Sequence, residues 1–199
     1  MTLPERELVR DRERTRRAIL EAAEQAFEQR GAKASLAEIA ALAGVTKSGL
    51  MHHFRTREEL ISQVIEHTIG RSWEEVRAHV DLTENRPGKF TRGYVRAFTG
   101  GSEYLTRVFS PSGLLAALGT LEAAESAEAL QQADARAWNE AFDADGLPPG
   151  RALAVRYAAE GLIFSVNTPY LTPGQLALAR ADLMALTEVE PGPPPASPR

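Results

Sequence analysis

The 199-residue chain is 43% hydrophobic and 25% charged, ordinary values for a globular protein, and it is long enough for one core or a small module plus a larger domain. It has no cysteine, which excludes disulfides and thiolate-held metals, and no window approaches the roughly 18 apolar residues of a membrane span. The N-terminus is charged throughout and has no secretory core, so a cytoplasmic protein without membrane contacts is expected.

The net charge of −4 is unevenly spread: residues 1–60 carry +1 and residues 61–199 carry −5, with six arginines between Arg6 and Arg17. Residues 1–13 read as a basic, disordered arm that could meet a polyanion. From Arg14 onward, Ala18, Ile19, Ala22, Ala23, Ala26 and Phe27 recur at helical steps until Gly31, a C-cap position. Ser35 and Glu38 form a capping box for a short helix that ends at Gly44. Thr46 caps another short helix through about His53, and Thr56 with Glu59 opens a long helix to about Val80. The stretch DLTENRPGK is a loop. Helices are then predicted over Phe90–Phe98 and Tyr104–Val108 with a Gly100–Gly101 break between them, from Ser110–Pro111 onward, and over Glu122–Phe142, Arg151–Val166 and Thr172–Glu188. The tail over residues 189–199 is rich in proline and is expected to be disordered. No strand pattern is present, so the fold class is all-α with about nine helices.

The two short helices joined by Ala43-Gly44-Val45 have helix-turn-helix proportions. Gly44 supplies a left-handed turn residue. In the second of them Leu50 and Phe54 point inward, which leaves Thr46, Lys47, Ser48, Gly49, Met51 and His52 facing outward, where a DNA major groove would lie. A metal site at His52–His53 is disfavoured, because helical ligand pairs need a four-residue step and adjacent side chains point about 100° apart. His53 belongs at the core edge and His52 at the DNA backbone.

The segment AILEAAEQAFEQRGAKASLAEIAALAGVTKSGLMHHFRTREELISQVI resembles the DNA-binding domain of TetR-type transcriptional regulators. The matching features are Gly31 at the first helix end, Ile39–Ala40, the AGV turn, the GLMHHF block and the RTREEL opening of the fourth helix. AAEGLIFSVNTPYLTPGQLALARADLMALTE is similar to the last two helices of many such regulators. The resemblance implies a helix-turn-helix domain over residues 14–58 and an effector-binding and dimerisation domain over residues 59–188. It also implies a homodimeric, ligand-responsive repressor of transcription, bound to double-stranded operator DNA, with no cofactor and no enzymatic activity. Arg57 matches a position where the family usually places a phosphate-contacting lysine. Met51 departs from the family, which commonly has a tyrosine there, and a thioether donates no hydrogen bond. With Ser35, the expected DNA-contacting set is Ser35, Thr46, Lys47, Ser48, Gly49, Met51, His52 and Arg57.

An effector cavity is expected among Tyr94, Phe98, Phe109, Trp138, Phe142, Tyr157 and Phe164, which implies a largely hydrophobic molecule. Arg96, Arg107, Arg136 and Arg156 are candidate anchors for an acidic group on it. For the dimer, Ala154, Ala158, Gly161 and Ser165 form a small-residue stripe, and Leu176, Ala179, Leu183 and Leu186 form an apolar seam on the last helix. Two rival readings remain: a helix-turn-helix protein controlled by a partner or acting architecturally, and an all-helical enzyme. No catalytic constellation has credible spacing for the second.

Overall fold

A computed structural model describes residues 5–119 and 125–189. Ten α-helices lie in these residues: α1 (Glu5–Arg30), α2 (Leu36–Leu42), α3 (Lys47–His53), α4 (Arg57–Ala78), α5 (Lys89–Arg96), α6 (Glu103–Val108), α7 (Leu114–Gly119), α8 (Glu125–Asp143), α9 (Pro149–Ser165) and α10 (Pro173–Leu186). No strand occurs among the described residues. The all-α reading holds, with ten helices in the described residues where about nine were expected.

Local chemistry explains most boundaries. Ser35 accepts from the Glu38 amide while Glu38 accepts from the Ser35 amide, and Thr172 and Gln175 repeat this box at α10. Thr46 accepts from the Gly49 amide at 3.0 Å. At α4, Thr56 accepts from the Glu59 amide, but the Glu59 carboxylate reaches back to the Arg55 amide. Gly44 turns the chain with φ of 68°. After α5 the helix widens into a π turn over Ala97–Gly101, and Gly100 breaks it with φ of 94°.

Two expectations need correction. Helix α1 begins at Glu5, so residues 5–13 of the expected arm are helical. Acid and base alternate there at helical steps, with Asp11 paired to Arg14 at 3.2 Å, and such pairs favour helix. The helix expected from Ser110–Pro111 starts at Leu114 instead, because Gly113 first closes a turn onto the Ser110 carbonyl. Residues 1–4 of the arm, residues 122–124 of the expected Glu122–Phe142 helix, and residues 190–199 of the tail lie outside the described residues.

The chain packs as two compact units. One takes in the described residues of Met1–Glu74 and Tyr104–Arg136, the other those of Glu75–Glu103 and Ala137–Arg199. The boundary expected at residues 58/59 thus falls within the first unit. That unit is built on Ile19, Ala23 and Phe27 of α1, Ile39, Leu50, Phe54, and Leu60 and Val64 of α4, all fully buried. The second unit centres on Val95, Phe98, Val155, Ala159 and Ile163. It also buries a guanidinium: Arg92 is wholly enclosed, holds Glu84 at 2.5 Å through Nε and donates to the Thr187 carbonyl at 3.2 Å, just beyond α10.

Candidate nucleic-acid interface

Leu50 is fully buried and fixes the roll of α3, which packs on α2. With that face inward, Thr46, Lys47, Ser48 and His52 are exposed, and Gly49 and Met51 are half-exposed. Ser35 is exposed at the start of α2, where its hydroxyl is engaged as a cap. Thr46 is likewise engaged through its hydroxyl, so the unoccupied hydrogen-bonding groups on this surface are Lys47, Ser48 and His52. Gly49 has a local reason. A Cβ there would stand 3.3 Å from the Thr46 hydroxyl oxygen, the atom that caps the helix, so any larger residue presses on the cap.

Arg57 is held more firmly than a free phosphate ligand would be. Its guanidinium donates to the Ala34 carbonyl at 2.5 Å and the Ala32 carbonyl at 3.1 Å, and it lies 5.4 Å over the Phe27 ring. It straps the single 3₁₀ turn Gly31–Lys33 to the start of α4. Sequence reasoning missed Arg16, which lies 4.9 Å over the Phe54 ring and bonds to Gln63, tying α1 to α4 beside the end of α3. Burial lowers the His53 pKa, and Arg12, His52 and Arg16 lower it further. His53 is therefore a neutral edge residue near neutral pH, and the arginines of α1 lie close to it.

In the second unit several of the expected aromatics pack ring against ring. Tyr94 stacks on Phe98 at 4.1 Å and meets Trp138 and Phe142 edge-on at 5.4 and 5.1 Å, and all four rings are buried. Phe90 closes the cluster against Phe142 at 5.3 Å. Tyr157 and Phe164 are 60% and 47% exposed, because they lie on the side of α9 away from Val155, Ala159 and Ile163. Phe109 belongs to the first unit and is half-buried. Three of the four expected anchors are engaged too. Arg156 pairs with Glu160 at 2.8 Å, and Glu160 also accepts from the Tyr94 hydroxyl, whose pKa burial raises well above its usual value. Arg96 binds Glu84 and the His79 carbonyl, Arg107 pairs with Glu28, and Arg136 is exposed.

Along α9, Ala154, Ala158 and Gly161 are exposed and Ser165 is half-exposed, and a Cβ on Gly161 would meet nothing within 4 Å. The same face carries Leu153 at 51% exposure beside Tyr157 and Phe164, large residues the small-residue stripe left out. On α10 the expected seam divides. Leu183 is buried in its own unit, Leu176 and Ala179 are half-buried, and Leu186 is exposed, while Leu178 is the most exposed leucine of the helix at 70%. Pro173, Leu176, Ala177, Arg180, Ala181 and Met184 with Thr99 line a shallow groove of about 410 Å³.

Residues 19–64 match the family model for bacterial regulatory proteins of the tetR family. Residues 88–188, about half of the chain, match the tetracyclin repressor-like C-terminal domain. The chain belongs to the TetR family. Within this TetR chain the first match runs from α1 into α4 and the second spans α5 to α10. The HTH-type transcriptional regulator TtgR of Pseudomonas putida is 47% identical over 53 residues, which are 26% of this chain and 25% of that protein. The chain thus matches about a quarter of the length of its curated relatives. Among solved structures, a transcriptional regulator from Rhodococcus sp. Rha1 superposes with a TM-score of 0.64 at 20% identity, covering 88% of this chain and 95% of that one. AibR in complex with isovaleryl coenzyme A and operator DNA superposes with a TM-score of 0.60 at 22% identity, covering 87% and 98%. At these identities the likeness is one of fold. No described helix is long and apolar enough to cross a membrane.

Proposed function

We propose that this TetR-family chain is a homodimeric transcriptional regulator that reads operator DNA with α3 and acts as a repressor released by a small, largely hydrophobic effector. The observation that carries the DNA reading is the outward surface of α3. Lys47, Ser48, Met51 and His52 face solvent on a capped helix, while Leu50 and the buried core of α1, α2 and α4 hold it rigid. A recognition helix in the major groove presents such early residues to base edges. Met51 has no hydrogen-bond donor and is suited to a thymine methyl.

The dimer reading is supported by the uncovered face of α9, where large apolar side chains surround the small ones. Paired about a two-fold axis, such faces form an isologous contact. Two readers then address half-sites roughly 34–36 Å apart or a multiple of that spacing. The solved AibR complex, holding both an acyl-coenzyme A and operator DNA, supports effector control of this fold. The close packing of Tyr94, Phe98, Trp138 and Phe142 supports a second reading, in which a partner protein or an architectural role replaces the effector. Sequencing the DNA fragments retained by the purified protein tests the proposal. A palindromic consensus supports it, and retention without sequence preference refutes it.

A further inference from the structure

The first compact unit contains a polar cleft of about 620 Å³ that the DNA reading does not use. Helix α1 supplies Glu21, Glu24, Gln25, Glu28 and Gln29 to its wall, and Arg71 of α4 and Arg107 of α6 complete it. Every lining side chain is long and polar. Glu24 is 1% exposed, a carboxylate on the helix that otherwise carries the apolar core of this unit. One of its oxygens is well served: Oε1 accepts from the Tyr104 hydroxyl at 2.9 Å and shares the Thr68 hydroxyl, 3.0 Å away, with the Val64 carbonyl. The other is not. Oε2 accepts no hydrogen bond; Arg71 at 3.6 Å and Arg107 at 3.8 Å are ion-paired with it but stand beyond hydrogen-bond reach. Arg107 is drawn to Glu28 instead, and Arg71 lies 3.8 Å over the Tyr104 ring. A buried carboxylate oxygen left without a donor is costly, so the cleft calls for one.

The charges around Oε2 restrict what can supply it. A cation would have to approach within a few ångströms of two guanidiniums. An anion would meet Glu21, Glu24 and Glu28. A hydroxyl satisfies both sides at once, because it donates to the carboxylate while accepting from a guanidinium. Gln25 and Gln29 add amide donors and acceptors of the kind that pair with further hydroxyls. We propose that this cleft binds a neutral, polyhydroxylated small molecule, a polyol or sugar, with one hydroxyl bridging Glu24 Oε2 and the Arg71–Arg107 pair. The assignment does not depend on the operator reading, and it differs in chemistry from the hydrophobic effector proposed above.

Isothermal titration calorimetry on the full chain tests it, with D-glucose and D-mannitol as probes and putrescine and acetate as charged comparisons. One of the two polyhydroxylated probes should bind at one site per chain. Glu24→Gln, which replaces the acceptor by an amide, should weaken binding at least tenfold, and Gln25→Ala should weaken it several-fold without changing the melting temperature. If circular dichroism shows that Glu24→Gln does not fold, Gln25→Ala and Gln29→Ala decide. No heat from either polyhydroxylated probe at tens of millimolar overturns the proposal. So does binding undiminished in the variants, or binding of putrescine or acetate in their place.

Discussion

Arg57 separates two roles that a family motif runs together. The structure gives its guanidinium two carbonyl acceptors, Ala34 at 2.5 Å and Ala32 at 3.1 Å, and a ring contact with Phe27. Hydrogen bonds from a charged donor contribute about 1.5–3 kcal/mol each when well sheltered, and this half-exposed site warrants the low end for the pair together. The ring contact adds roughly 0.5–1 kcal/mol. Arg57→Ala should therefore cost about 2–2.5 kcal/mol of stability. For a chain of this size that corresponds to a fall in melting temperature of about 4–10 °C. The substitution also leaves the carbonyl of the buried Ala34 short of a donor. DNA binding by the folded variant should show nearly the wild-type dependence on salt. Lys47→Ala should do the reverse, with melting unchanged and a slope of log K against log salt that is shallower by about 0.9 for each phosphate no longer neutralised. If Lys47 reads a base instead, its removal should cost about 1–3 kcal/mol and relax specificity at one position. Thermal melts followed by circular dichroism, with filter binding at several salt concentrations, measure both quantities. An Arg57→Ala protein that melts like wild type but loses salt dependence would refute the strap.

Met51→Tyr should tighten operator binding, by ~1.5–3 kcal/mol at best, since a phenol can donate to phosphate; weaker binding by a folded variant would show that the thioether is itself part of the reading surface. Gly161→Leu should leave the subunit folded, because nothing lies within 4 Å of the added Cβ, yet shift the protein toward monomer and reduce operator affinity sharply; light scattering that finds the variant as dimeric as wild type counts against an interface on α9. Stability should decline as pH falls through about 6.5, the ordinary value for His67. Burial lowers the folded pKa of His67, with Glu24, Glu21 and Glu74 opposing and Arg71 reinforcing, so the unfolded chain binds the proton first. Urea unfolding at about pH 7.5 and about pH 5.5 should show that loss, and His67→Gln should reduce it; an equal loss in the variant would assign the effect to other groups.

The first sixty residues were legible because each device there is local. Capping pairs sit three residues apart, Gly44 needs a positive φ, and Leu50 with Phe54 shows which side of a short helix is buried. The same argument failed on α9. Its stripe of Ala154, Ala158 and Gly161 was visible from spacing, but Tyr157 and Phe164 were counted as cavity lining on aromatic character alone, when their own steps place them on the exposed side. The strap made by Arg57 was not legible for a different reason, since carbonyls more than twenty residues upstream decide where its guanidinium rests. Glu24 left a trace in the sequence that went unread: it sits between Ala23 and Ala26, where only a partnered carboxylate can be buried. What it pairs with comes from Thr68 and Tyr104, and no local rule links those three positions.

The enclosed guanidinium of Arg92 sets a limit on where this protein can be shortened. Its contacts run to Glu84 on one side and to the Thr187 carbonyl on the other, so the residue just past the end of α10 supplies a hydrogen-bond acceptor to a charge that never meets water. Ending the chain before Thr187 would leave the guanidinium its ion pair with Glu84 but take away a buried acceptor, a loss of about 1–3 kcal/mol. A reporter or affinity handle joined after Val189 leaves the contact whole, whereas one replacing residues 187–189 would unseat the helix that covers it.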